Sequence, residues 1–419
     1  MTEIDSADKT PLHPPRTSDS ATSTPPAAST ARLVGVDLAR ALAVFGMFAV
    51  HVGPFPTPGG GVGDWVLELA SGRASALFAT LAGFSLMLIA GRREPKTGAA
   101  GRQARARIVI RAAILLVVGS ALAMTNFGGA GILNFYALYF LLSLPLLKLR
   151  ARTLATIAVT LAVVTPQLAF ALRALLTESA VRTIDTYDPL ARISGVGVLD
   201  LVLTGLYPAI TWMTFVVTGM TLGRLDLASG TVRRRLAAVG AAMIAFGYGV
   251  ARLLLRVTGG DRHLASGRPS AEDLAKMTES GPVSFDMPVG SGLWNDAWGL
   301  IAAEPHSGST LDLIGSLGIA ITVILCATLA VERLDWLRKL AAPVIAVGTM
   351  SLTLYVGHIL VILALPGESA APPESASTGL LLSFIAGAVL FAGLWSRFFR
   401  RGPLEHLLNL ATKRASALR

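Results

Sequence analysis

The chain has 419 residues, 53% of them hydrophobic and 15% charged, and a formal net charge of +10, with a mean hydropathy of +0.61. This composition excludes a soluble globular domain and a disordered chain, and indicates a polytopic membrane protein. The positive charge does not point to nucleic acid: Lys and Arg sit in short loops between apolar stretches, the pattern of positive-inside topology.

Residues 1–31 are rich in Ser, Thr, Pro and Ala and read as a disordered cytoplasmic tail. The first apolar run starts after Arg32 without a small-residue cleavage site behind it, so it is expected to stay in the membrane as an anchor. From there the pattern predicts an all-α bundle of about ten transmembrane helices, each near the 20 residues a bilayer requires. The stretches are 33–53, 65–91, 107–126, 132–148, 152–176, 200–223, 235–257, 309–331, 340–366 and 377–396. Together they form one transmembrane domain over 32–408, followed by a basic cytoplasmic tail at 409–419.

Orientation follows from charge. Basic clusters at Arg92–Arg111, Lys148–Arg152, Arg224–Arg235, Arg333–Lys339 and Arg397–Arg401 each follow an even-numbered stretch. Both termini are therefore expected in the cytoplasm of a cell with an inner (plasma) membrane. The acidic loops 177–199 and 258–308 face outward, and Trp294 and Trp298 in the second suggest a cap over a cavity or headgroup anchoring. The single cysteine, Cys326, reads as a small apolar packing residue.

The first stretch, LVGVDLARALAVFGMFAVHV, carries Asp37, Arg40 and His51. Asp37 and Arg40 are neighbours on one helix face. His51 returns to within about 20° of Arg40 and lies about 16 Å further along the axis. Ionisable groups at this depth are costly and must face protein or a wet cavity. His51 near the outer end suits a general base, and Arg40 suits a phosphate or a pantetheine arm. The plainer alternatives are a helix-end imidazole and an orienting Asp37–Arg40 salt bridge.

Arg73, among Ser71, Gly72, Ala74 and Ser75, is expected to face the same cavity, with snorkelling as the alternative. Glu304 and His306 place a carboxylate and an imidazole at the outer mouth, either to hold an acceptor or to form a helix-entry turn. His358 and Asn134 are polar lining or interhelical glue. The sequence has no GxGxxG, Walker A, CxxC or HExxH pattern, and nothing in it suggests a metal.

RLVGVDLARALAVFGMFAVH (32–51) resembles the first helix of the transmembrane acyltransferase superfamily. The Asp37-x-x-Arg40 pair resembles the opening of the heparan-α-glucosaminide N-acetyltransferase catalytic-domain family, and the Arg40–His51 spacing is similar to that of acyltransferase family 3. ILNFYALYFLLSLPLL (132–147), EPHSGSTLDLIGSLG (304–318), VGTMSLTLYVGHIL (347–360) and GPLEHLL (402–408) resemble related bacterial membrane proteins grouped as domain of unknown function 418.

The resemblance implies a multi-span enzyme that moves an acyl group, acetyl by preference, from cytoplasmic acyl-CoA to an amine or hydroxyl of an extracytoplasmic glycan or glycolipid. No metal and no nucleic acid partner are expected. Carried over by motif, Asp37, Arg40 and His51 are the catalytic candidates. The substrate-binding candidates are Arg73, Glu304, His306, Asn134 and His358. Loop 54–64 lacks the histidine that the animal enzymes carry after their first helix, so His51 takes that part by analogy. Membrane lipids are the expected surroundings, and the oligomeric state stays open, homodimer included. The rival reading is a transporter or flippase of a sugar, lipid or small polar solute, for which the same polar stripe is a permeation path.

Overall fold

The computed structural model describes residues 27–54, 61–125, 131–260, 297–365 and 376–413. Among these the regular structure is helical, with no strand. The predicted tail lies outside the described residues up to position 26; the first helix, α1, spans Ala27–Val52. Of the second outward loop, 261–296 lies outside them as well, Trp294 included, and so do 414–419 of the basic tail.

Seven helices are long and apolar enough to cross a membrane unbroken. They are α1, α3 (Arg73–Ala90), α4 (Gly98–Ala123), α6 (Ala151–Ala174), α10 (Gly230–Thr258), α11 (Thr310–Arg333) and α15 (Thr378–Phe398). The chain is a multi-pass membrane protein. The other three expected spans are present as helical segments, but broken or short. α5 (Ile132–Leu142) runs into a 3-10 turn at Leu144–Lys148. α9 (Ala209–Arg224) follows a π turn at Asp200–Thr204 and an extended piece ending at Pro208. The ninth stretch is two helices, α13 (Ala342–Thr349) and α14 (Ser351–Ala364), bent by 86° at Met350.

The second expected span also divides. Val62–Ala70 forms a separate helix, α2, which buries none of its residues and exposes Trp65, Val66 and Leu69. An amphipathic helix of this kind suits the membrane surface. Loop 177–199 folds into two short helices, α7 (Glu178–Tyr187) and α8 (Pro189–Ser194). Two further short helices, α12 (Asp335–Leu340) and α16 (Pro403–Lys413), complete the set.

Burial sorts the helices into two layers. In α1, α3 and α11, 50–67% of the apolar window is buried, against 11–33% in α4, α6, α10 and α15. The first set, with α5, α9, α13 and α14, forms the centre, and the second set presents Val117, Val159, Phe246 and Leu390 outward, as lipid-facing surfaces do. Cys326, expected to pack inside, is on the exposed face of α11. The central contact is α3 on α9. A methyl group at Gly219 would lie 1.8 Å from the carbonyl oxygen of Thr80, and one at Gly83 would lie 1.9 Å from that of Val216. Small residues let the two backbones touch, which replaces the hydrophobic drive that lipid cannot supply.

Candidate active site

His51 ends α1, where the chain turns out at Gly53. It is buried, with 6% exposure, and lines a narrow cleft with Met47, Gly72, Ser75, Tyr207, His306 and Tyr355. Six separate segments therefore converge there: the end of α1, the start of α3, the start of α5 at Ile132, the piece before α9, the turn before α11, and α14. Tyr139 donates its hydroxyl to the Tyr207 carbonyl, and the Tyr207 and Ser75 hydroxyls share a hydrogen bond. These bonds hold the Tyr207 part of the cleft lining in place.

His358, on α14, sits beside His51, with 2.8 Å between His51 Nδ1 and His358 Nε2. Phe48 packs on the His358 ring at 4.9 Å and Tyr355 at 5.3 Å. His306 closes the cleft from the turn before α11. Its ring stacks on Trp212 at 5.8 Å and meets the Tyr207 edge at 5.2 Å. Enclosure, with the positive charge of Arg73 nearby, pushes the His306 imidazole down to about 4, so it is neutral at physiological pH. Its backbone has φ of 61°, a left-handed conformation uncommon outside glycine.

Arg73, the first residue of α3, is beside this cleft without lining it. Its Nε donates to the Tyr248 hydroxyl at 3.1 Å, and Nη1 donates to the carbonyls of Ser71 at 3.1 Å and Glu68 at 3.3 Å. Tyr248 contacts the Ser316 hydroxyl at 3.3 Å, which donates to Asp312 Oδ1 at 3.0 Å. Asp312 is buried at 5% exposure and was not foreseen. Its signal was available: Ser309 accepts from the Asp312 backbone N–H at 3.0 Å, the S-x-x-acid pattern that opens a helix. Glu304 is half-buried at the same mouth, within electrostatic reach of Asp312.

Asp37 and Arg40 belong to a different place. Arg40 bridges Asp37 at 2.5 Å and the Ser85 hydroxyl at 2.8 Å. The buried side chains of Val44 and Phe48 lie between this pair and His51 along α1. The three groups thus share a helix but not a cleft. Around Arg40 the structure gathers charges that the sequence offered only as topology signals. Arg111 on α4 is within electrostatic reach of Arg40, Arg107 and Arg401, and its buried Nε has no hydrogen-bond partner among the described residues. Asn134 lines neither region; it is buried on α5 against Gly119 of α4.

A family model described as heparan-alpha-glucosaminide N-acetyltransferase, catalytic, matches residues 32–251, more than half of the chain. The chain belongs to that family. A second model, a protein of unknown function (DUF418), matches residues 282–415. No curated protein matches the chain. The acetyltransferase-family match contains His51, Arg40, Asp37, Arg73 and Tyr207, and the second contains His306, Asp312, His358 and Arg401. The cleft and the arginine cluster each draw on residues from both matches.

Proposed function

We propose that the protein is a membrane-embedded acyltransferase that takes an acyl group, acetyl by preference, from cytoplasmic acyl-CoA. The acceptor is an amine or hydroxyl of a glycan or glycolipid on the outer side of the cell's inner membrane. The observation that carries this reading is the division of labour along α1. A basic cluster around Arg40 occupies the end nearer the arginine-rich loops, and an imidazole, His51, lines a cleft at the other. The two are about 16 Å apart along the axis, a span suited to an anionic head at one end and a reacting thioester at the other. Arg40, Arg107, Arg111 and Arg401 would hold the phosphates of the donor.

The acceptor would enter past Glu304, His306 and Asp312. As its nitrogen or oxygen attacks the thioester carbon, His51 takes its proton. The new acyl bond forms, the carbon–sulfur bond breaks, and the proton passes to the departing thiolate. A base of this kind contributes about 10²–10⁴ in rate. On this reading both termini are cytoplasmic.

The bent pair α13–α14 favours one rival, transport, because broken spans commonly build solute sites from half-helix termini. Here the N-terminus of α14 is taken by Glu405, which accepts from the Leu352 and Thr353 backbone N–H groups at 2.8 and 3.2 Å, so it is not offered to a solute. The test uses purified protein in liposomes with labelled acetyl-CoA and bacterial membrane glycan fractions. Thiol release coupled to label transfer, lost in a folded His51→Ala protein, is expected. Solute flux without thioester cleavage, or full transfer by His51→Ala, would overturn the proposal.

A further inference from the structure

The contact between His51 and His358 joins residues 307 positions apart, and its geometry says more than that they touch. The ring planes are 6° apart and the centroids 5.1 Å apart. That separation is the 2.8 Å nitrogen–nitrogen distance plus one ring radius on each side. The imidazoles therefore meet edge to edge in a common plane, which is the arrangement of a straight N–H···N hydrogen bond.

The proton in that bond has one consistent origin. His358 Nδ1 lies 3.3 Å from the carbonyl oxygen of Leu354, one turn earlier on α14. A carbonyl only accepts, so Nδ1 carries the hydrogen. A neutral imidazole has one donor and one acceptor nitrogen, so His358 Nε2 accepts. A charged His358 is disfavoured: it is 4% exposed among Phe48 and Tyr355, and no carboxylate among the described residues pairs with it. His51 Nδ1 must then be the donor, which in the neutral imidazole leaves His51 Nε2 as its proton-accepting nitrogen.

We propose that His358 is a positioning residue that locks His51 in the Nδ1–H tautomer, through the run Leu354 carbonyl–His358–His51, and so assigns the base function to Nε2. The inference rests on the acyl-transfer reading for its consequence, but not for the nitrogen assignment. When His51 Nε2 takes the acceptor's proton, its Nδ1–H stays bonded to His358 Nε2, and the positive charge is shared by a second ring already in plane. No reorientation is needed during the step, which is what makes such preorganisation effective.

The test is solid-state ¹⁵N NMR of histidine-labelled protein in liposomes, with the His51 signals assigned by difference against His51→Asn. The wild type is expected to show His51 protonated at Nδ1 and bare at Nε2, with a nitrogen–nitrogen coupling across the bond to His358. In His358→Phe, which keeps a ring but offers no acceptor, the Nε2–H form of His51 should appear. Acetyl-CoA turnover should fall about 10²- to 10⁴-fold with the donor KM unchanged, the size of effect expected from a misplaced imidazole proton. His358→Gln, whose amide oxygen can accept in place of Nε2, should keep the tautomer and most of the turnover. A wild-type His51 protonated at Nε2, or a His358→Phe protein with the His51 tautomer unchanged, would overturn the proposal. The expected tautomer in a protein without thioester turnover would support the nitrogen assignment and sink the acyl-transfer reading alone.

Discussion

Gly348 of α13 packs against the carbonyl oxygen of Asp37 so closely that a methyl group in place of its hydrogen would lie 1.7 Å from that oxygen. The neighbour is backbone, which cannot rotate away, so Gly348→Ala must push α13 off α1. Overpacking of this kind costs about 1–3 kcal/mol. We expect a lower thermal midpoint in detergent. Because Asp37 orients Arg40, a weaker hold on the donor should accompany it. An unchanged midpoint would contradict the close contact.

Three guanidinium groups, those of Arg40, Arg107 and Arg401, repel that of Arg111. If a phosphorylated donor supplies the missing negative charge, Arg111→Gln should raise the KM for acetyl-CoA about tenfold, the loss of one charge-assisted contact, with little change in kcat. The same substitution relieves repulsion, so it should leave the protein at least as stable as the wild type. Steady-state kinetics and a thermal scan check both halves; a KM that does not move removes the cluster from the donor site.

His306 provides a pH dependence. Its folded-state value of about 4 lies below the reference of about 6.5 for an unfolded chain. The unfolded chain therefore binds more protons in between, and stability falls as pH drops. The contribution is complete above about 6.5 and is lost as pH falls toward 4. His306→Asn suits the left-handed backbone and removes the titration. Its midpoint should fall less than that of the wild type between pH 7 and 4, as read by denaturant titration.

Glu405 on α16 accepts two backbone N–H groups of α14 and the Thr353 hydroxyl at 2.5 Å. Glu405→Gln keeps the shape and removes the charge at a helix N-terminus. It should destabilise by about 1–2 kcal/mol and make the C-terminal helix easier to cleave, which limited proteolysis would show.

Hydropathy located every apolar stretch because burial in lipid selects for it, whatever the neighbours. It could not locate the breaks at Ser71–Gly72, Gly205–Pro208 and Met350. Those depend on which element packs against the chain at each point, as Glu405 does for α14. Within the candidate site, Asp37–Arg40 was legible because the residues are one turn apart, and they do pair. The helix wheel also put His51 on their face, but a wheel does not report that Val44 and Phe48 close the space between. His358, which His51 contacts, and His306, which lines the same cleft, come from distant segments, and no spacing rule connects them. Asn134 shows the converse: a polar residue in an apolar run reads equally as cavity lining or as interhelical glue, and only the packing shows that it faces a neighbouring helix at Gly119.

The Glu405 clasp has a consequence for biogenesis. α14 carries His358, yet the helix is finished at its first turn by a side chain more than fifty positions downstream. During synthesis α14 is made before Glu405, so its first turn lacks this acceptor until the later segment follows. The helix that carries His358 is thus completed at its first turn only once α16 has been made and has reached it. A nascent chain stalled short of residue 405 would be inserted but incompletely assembled, and this sequence would keep a half-formed protein from working before it is whole.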